Sequence, residues 1–207
     1  MWTCAIVTNT RACRTPAHRV HAPNAARPIA ACATMDDMTQ PQFVPTHFAP
    51  PRPPEGAGFT LVPLRLDHNE GDLDAWSSSV DHIHATPGFA GHPWPDEPMT
   101  LERNARDLAE HESDFAHRRG FTYSVVSEVG NEVIGCVYIY PSAKEGVDAD
   151  VRSWVRASRA MLDTSVYETV LEWLRADWPF STFDYAPRGT NVAPQSAAPG
   201  VDPTATS

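Results

Sequence analysis

Alternation and helical spacing divide the middle of the chain into segments of distinct period. Residues 59–66 (FTLVPLRL) place apolar side chains at every second position, the pattern of a half-buried strand, and Pro63 suits an edge or a bulge. Leu73, Trp76, Val80 and Ile83 follow at helical spacing, predicting one helix over 72–84 that starts near Asn69 or Asp72. A second helix is predicted from Thr100 to about Arg118, with Leu101, Leu108 and Phe115 inward and Gly120 as its stop. Residues 121–128 (FTYSVVSE) and 133–141 (VIGCVYIYP) flank a short turn containing Gly130 and Asn131, a hairpin signature. The second of these runs is apolar almost throughout, as in a central strand covered on both faces.

A further strand is predicted over 148–158 (DADVRSWVRAS), with Val151, Ser153, Val155 and Ala157 alternating against Arg152, Trp154, Arg156 and Ser158. The helix beginning near Asp163 has Ser165 and Glu168 at capping-box spacing, and a wide apolar face of Val166, Tyr167, Val170, Leu171, Trp173 and Leu174. Residues 181–185 (STFDY) read as a short last strand. The folded part is therefore expected over 58–186, preceded by a leader and Pro-rich linker over 1–57 and followed by a polar tail over 187–207.

The flanks lack the pattern of folded elements. Residues 1–35 contain no Asp or Glu but carry Arg11, Arg14, Arg19 and Arg27, a composition compatible with a transit peptide. The absence of any hydrophobic face favours instead a translation start at Met35 or Met38. Residues 41–54 are proline-dense, a linker or a strap. The tail is too poor in large apolar residues to offset the entropy of ordering it.

Charge narrows the functional classes. The 207 residues carry a formal net charge of −10, with a pI near 5.2, against the clustered Lys and Arg that nucleic acid requires. Cys4, Cys13 and Cys32 fall in the leader, which leaves Cys136 alone in the domain, with no spacing for zinc and no internal disulfide. No apolar run approaches the ~18 residues of a membrane span. A cytoplasmic protein without membrane or nucleic-acid partners is expected.

The order strand, helix, helix, hairpin, strand, helix, strand resembles the GNAT (GCN5-related) N-acetyltransferase family. The resemblance is carried by FTLVPLR as first strand, FTYSVVSEVGNEVIGCVYIYP as second and third, DVRSWVRAS as fourth, and SVYETVLEWLRADWPF as the cofactor-side helix. It implies an α+β, three-layer fold with a mixed, mostly antiparallel sheet flanked by helices, acetyl-CoA as cofactor, and transfer to the amine of a small molecule. The family's fourth strand leads into Arg or Gln, two residues, Gly, one residue, and Gly or Ala, whose backbone N–H groups bind pyrophosphate. Here Arg156 is followed three residues on by Arg159, and neither frame supplies a glycine. Arginines and N–H groups at a helix start would have to take the phosphates instead.

Within this resemblance Asp150 is the candidate base, the backbone N–H of Trp154 or Val155 the oxyanion donor, and Tyr185 the acid for the leaving thiolate. Arg156, Ser158 and Arg159 complete the expected cofactor side. An alkyl ammonium, with a pKa of ~10.4, needs such a base before it can attack a thioester. Trp94, Asp96 and Glu97 would border the acceptor, the tryptophan as an apolar wall and the acids as attractors of an amine. His82, His84 and His92 have no metal-ligand spacing and are expected to be solvated. The helix and two strands that the family adds after the last one here have no counterpart, so the fold is expected to be either truncated or completed by a partner subunit, as in a homodimer. The alternative function is a non-catalytic domain that has lost CoA and binds a ligand or a protein.

Overall fold

The computed structural model describes residues 42–95 and 99–188. Six strands form one sheet in sequence order: β1 (Glu55–Gly56), β2 (Phe59–Pro63), β3 (Phe121–Ser127), β4 (Val133–Pro141), β5 (Ala149–Val155) and β6 (Phe183–Tyr185). Every neighbouring pair is antiparallel except β5 and β6, which run parallel. The hairpin between β3 and β4 turns through Gly130 and Asn131, both at positive φ (82° and 52°), which suits these two residue types.

Side chains of β4 alternate between its two covered faces and sort the core into two layers. Val137 and Ile139 join the α4 side, where Val166, Val170, Trp173 and Leu174 of α4 (Asp163–Asp177) pack. Cys136, Tyr138 and Tyr140 face the opposite layer with Trp154, Ala75, Trp76, Ile83 and Leu108. That layer holds α1 (Asn69–Ser77), α2 (Val80–Ala85) and α3 (Leu101–His117). The result is the expected three-layer α+β arrangement with a central, doubly covered β4. The proline-dense segment is a strap: Val44 is buried, and Phe43 and Phe48 stack beside Phe180 and Trp178 under the α4 layer.

Several expected boundaries move. The single helix over 72–84 is two helices broken at Ser78 and Ser79. Ser78 Oγ donates to the Asp74 carbonyl at 2.8 Å, the competition with helix backbone that serine offers. Leu101 is exposed, not inward, because it occupies the first position of α3 ahead of the buried stripe. Arg118, not Gly120, adopts the left-handed cap of α3 (φ 59°), its N–H donating to the Asp114 and Phe115 carbonyls. Gly120 serves packing instead, since a Cβ there would lie 2.2 Å from the Tyr140 ring. The strand over 148–158 ends at Val155, and Ala157–Leu162 forms a 3-10 turn running directly into α4. Ser165 therefore lies inside the helix, and the cap position is Leu162 with no side-chain hydrogen bond.

Candidate functional site

A cavity of about 200 Å3 opens between α3, the loop after α2, and the face of β4. Its lining combines Phe89, Trp94, Tyr138 and Tyr140 with Asp72, Asp107, Glu110 and Asp114. Each element contributes by its own period. β4 presents Tyr138 and Tyr140 two residues apart on one face, and α3 presents Asn104, Asp107, Leu108, His111 and Asp114 at three- and four-residue spacing. Trp94 is half-buried, its ring centroid 5.9 to 6.3 Å from those of Phe89, Trp76, Trp154 and Tyr138. His92 Nδ1 accepts the Trp94 N–H at 3.1 Å, and burial, followed by the charge of Arg152, lowers the His92 pKa.

Hydrogen bonds link the polar side chains of one wall. The Tyr140 hydroxyl lies 3.1 Å from the Asp114 carboxylate, to which it donates, and 2.7 Å from His111 Nδ1. Thr122 Oγ1 lies 3.2 Å from the same ring nitrogen. Burial pushes the His111 pKa down to about 4, so the ring is neutral at pH 7. Asp114 also pairs with Arg119 at 2.8 Å.

At the floor, Asp72 is 4% exposed. Asn104 Nδ2 donates to its Oδ2 at 3.1 Å and the Cys136 thiol to its Oδ1 at 3.3 Å. Burial raises the Asp72 pKa and that of the Cys136 thiol. Asn104 is itself held by the Trp76 indole N–H, which donates to its Oδ1 at 3.1 Å.

Among the residues singled out in the sequence, the structure brings Trp94 and Trp154 together on this face, with the Trp154 indole donating to Tyr138 at 3.2 Å. Asp150 shares the face of β5 with Trp154 by alternation, lies outside the cavity lining, and pairs with Arg152 at 3.0 Å. Tyr185 is buried in the other layer, its hydroxyl 2.6 Å from Ser153 Oγ, and burial raises its pKa. Asp96 and Glu97 lie outside the described residues. His82 and His84 are not solvated as expected: each keeps a buried Nε2 with no hydrogen-bond partner.

The second region of interest is the gap where β5 and β6 part. Pairing ends at Val151 and Tyr185, so among the described residues the outer edge of β5 beyond that point has no strand beside it. Arg156 N–H donates to the Ile134 carbonyl at 2.7 Å, and ladder alternation then turns Trp154 N–H toward β4 and Val155 N–H toward the gap. The gap is filled from within. Arg188, with a side chain 3% exposed, donates to Ser153 O at 2.7 Å, Ser153 Oγ at 3.0 Å, and both oxygens of Asp163 at 2.6 and 3.0 Å. Its guanidinium also lies over the rings of Tyr167 and Tyr185.

The junction into α4 does not fit a diphosphate as it stands. Ala157 N–H donates to Ser79 Oγ at 3.0 Å, Arg159 N–H to the Arg156 carbonyl at 2.8 Å, and Asp163 N–H to the Ala160 carbonyl. The Arg156 guanidinium is held by Glu132, by Asp74 at 3.0 Å, and by Ser78 Oγ at 3.0 Å. Arg159 reaches Glu132 at 3.4 Å, and Ser158 is exposed. Of the side chains expected to meet phosphate, Arg156 and Arg159 are engaged by the chain's own acids while Ser158 stays exposed, and Asp163 adds negative charge at the first turn.

Sequence reasoning missed Asp72, Asn104, His111, Asp114 and Arg188. Asp72 was visible only as a helix-start acid and Arg188 only as the first charge of a polar tail. The one usable signal was the recurrence of polar residues at 104, 107, 111 and 114, three and four apart on α3, which marks a face rather than a site.

The sheet order, the single parallel pair at its edge and the helices on both faces define a divergent GNAT-like α+β fold. Solved structures of similar arrangement include Mycobacterium smegmatis RimJ in complex with CoA-disulfide, 18% identical over 70% of this chain and 68% of that one, TM-score 0.48. Ribosomal-protein-S5-alanine acetyltransferase from Vibrio fischeri is 14% identical over 60% and 67%, TM-score 0.46. The microcin C7 self-immunity acetyltransferase MccE, in complex with acetyl-CoA and AMP, is 12% identical over 57% and 61%, TM-score 0.44. No family model and no curated protein matches the sequence. Likeness at this distance assigns neither residue roles nor substrate, and the fold rests on the topology itself. Among the described residues, no helix is long and apolar enough to cross a membrane.

Proposed function

We propose that this chain is a GNAT-like domain that binds a small organic amine in the cavity beneath Trp94, without using acetyl-CoA. The observation that carries this reading is the pairing of two neighbouring regions. One is an open cavity with aromatic walls and carboxylates; the other is a gap between β5 and β6 that Arg188 and Asp163 occupy. Aromatic faces and carboxylates both favour a cation, and about 200 Å3 is below the roughly 300–1,000 Å3 of pockets for drug-sized ligands. A small molecule fits this volume better than a length of folded protein.

A second reading has one specific observation in its favour. Val155 N–H faces the same gap in which Ser153 O is held, so an acyl group lying there would meet a backbone donor once Arg188 moved aside. In that case the chain is an acetyl-CoA-dependent N-acetyltransferase acting on the amine of a small molecule, with Asp150 as base and Tyr185 as acid.

Calorimetry with acetyl-CoA and the full chain separates the two. The expected result is no binding at millimolar acetyl-CoA, and binding of a small amine to the same preparation. Micromolar acetyl-CoA binding that is lost in an Arg156→Ala, Arg159→Ala double variant would overturn the first reading in favour of the transferase. If acetyl-CoA binds only after Asp163→Asn and Arg188→Ala are combined, the gap is a cofactor groove closed by its own residues, and the unmodified chain still does not use it.

A further inference from the structure

Buried carboxylates in folded proteins are met by a cationic side chain, a metal or a dense set of donors, because an ionised acid removed from water without such a partner is costly. Asp72 has two neutral donors, the Asn104 amide and the Cys136 thiol. No Lys, Arg or His pairs with it among the described residues, although it is 4% exposed. No neighbouring cation among these residues compensates its charge. Asp107 stands near enough to raise its pKa further, and Glu110 and Asp114 line the same cavity. His111 is held neutral, and Arg119 is taken by Asp114.

The acid is also positioned deliberately. Asn104 reaches it while being fixed by the Trp76 indole and by Asn69, to whose Oδ1 its amide donates at 2.9 Å. Both Asp72 oxygens thus accept hydrogen bonds, one of them from an amide whose orientation is set, and Asp72 forms part of the cavity wall. Four aromatic residues line the same cavity: Phe89, Trp94, Tyr138 and Tyr140.

We infer that Asp72 is the anchor of the cavity, and that the cation it lacks is supplied by the ligand, a small primary or secondary ammonium whose apolar body lies against Trp94 and Phe89. An ammonium carries N–H donors for Asp72 and a charge for the ring faces, whereas a quaternary ammonium would satisfy only the rings. This selects between two kinds of cation that the aromatic lining alone would accept. The inference rests on the amine-binding reading and adds the charged partner and the ligand class to it.

The test compares the full chain with Asp72→Asn by calorimetry, using n-butylammonium and benzylammonium as probes, tetramethylammonium as a cation without N–H donors, and butanol as a neutral control. The expected result is binding of the primary ammonium ions, weakened about 10- to 150-fold in Asp72→Asn, the loss of one charge-assisted hydrogen bond. Tetramethylammonium and butanol should bind the unmodified chain more weakly than the primary amines. Thermal unfolding of the ligand-free proteins supplies an independent readout: Asp72→Asn removes an uncompensated buried acid but turns an amide nitrogen toward one of two donors, so the two proteins should melt at similar temperatures.

Equal affinity of both proteins for the amines overturns the role of Asp72 while leaving amine binding intact. Preference for tetramethylammonium overturns the ligand class. A marked fall in melting temperature in Asp72→Asn, without amine binding to the unmodified chain, makes Asp72 a structural acid and overturns the inference. Amine binding through Asp72 together with acetyl-CoA binding would sustain the inference and overturn only the cofactor-free reading.

Discussion

His111 and Asp72 face one cavity and respond to acid with opposite sign. His111 has a pKa of about 4 in the folded chain against an ordinary value of 6.5. Between these values the unfolded chain takes a proton that the folded chain refuses, so stability is full above pH 6.5 and falls as pH drops toward 4. The full span is worth about 3 kcal/mol at ~1.36 kcal/mol per pH unit. Asp72, with its pKa raised by burial, holds a proton in the folded chain where the unfolded chain has released it, so acidification relieves its cost. Urea unfolding at pH 7 and pH 5 should show a loss of stability in acid that His111→Gln flattens, and that Asp72→Asn steepens. A slope unchanged in His111→Gln would remove the histidine from this account.

At the scale of elements, the close approach of β4 to β5 decides where the cavity wall stands. Gly135 lies opposite Val155, and a Cβ there would come within 2.1 Å of the Trp154 carbonyl. Gly135→Ala must therefore separate the strands that carry Tyr138 and Trp154. The expected cost is at least ~1–3 kcal/mol, the range of overpacked cores, with loss of amine binding beyond what lowered stability explains. Denaturant unfolding gives the first quantity and calorimetry on the folded fraction the second. The break between α1 and α2 is another decision made by contacts: Ser79 leaves the helix and accepts the Ala157 N–H, which ties the loop after β5 to the opposite layer. The 3.6-residue spacing of Leu73, Trp76, Val80 and Ile83 is compatible with one helix or two, and the side-chain hydrogen bonds of Ser78 and Ser79 distinguish them.

For the molecule as a whole, the strap ahead of β1 matters more than its proline content suggests. Phe43 lies 5.3 Å from Phe180 and 6.0 Å from Phe121 by ring centroids, and Phe48 lies 5.5 Å from Trp178. Val44 is 3% exposed. Burial of each such side chain contributes up to ~1.5–3 kcal/mol. Removing residues 1–49 should therefore lower the melting temperature by at least about 5 °C relative to removal of residues 1–41 alone, measured by thermal denaturation. An equal melting point for the two truncations would make the strap ornamental. The Arg188 contacts extend the same lesson to the other end, where one arginine fixes residues just beyond β6 against β5 and α4.

Periodicity alone marked β2 to β6, the hairpin, the doubly covered β4 and the amphipathic α4, but not β1; alternation and helical spacing are local consequences of which face each residue must bury. Composition alone set the acidic balance and argued against a nucleic-acid surface. Tertiary structure decided the rest. It split the first helix, ended β5 at Val155, and wound the loop into a 3-10 turn in which the Ala157 and Arg159 N–H groups meet the chain's own acceptors. It also carried Asp72, Asn104 and Cys136, 32 to 64 residues apart, into one hydrogen-bonded set, and set Arg188 beside Asp163. No local pattern encodes such meetings: a buried acid and a helix-start acid read alike in sequence, and what separates them is the packing of three layers around the sheet.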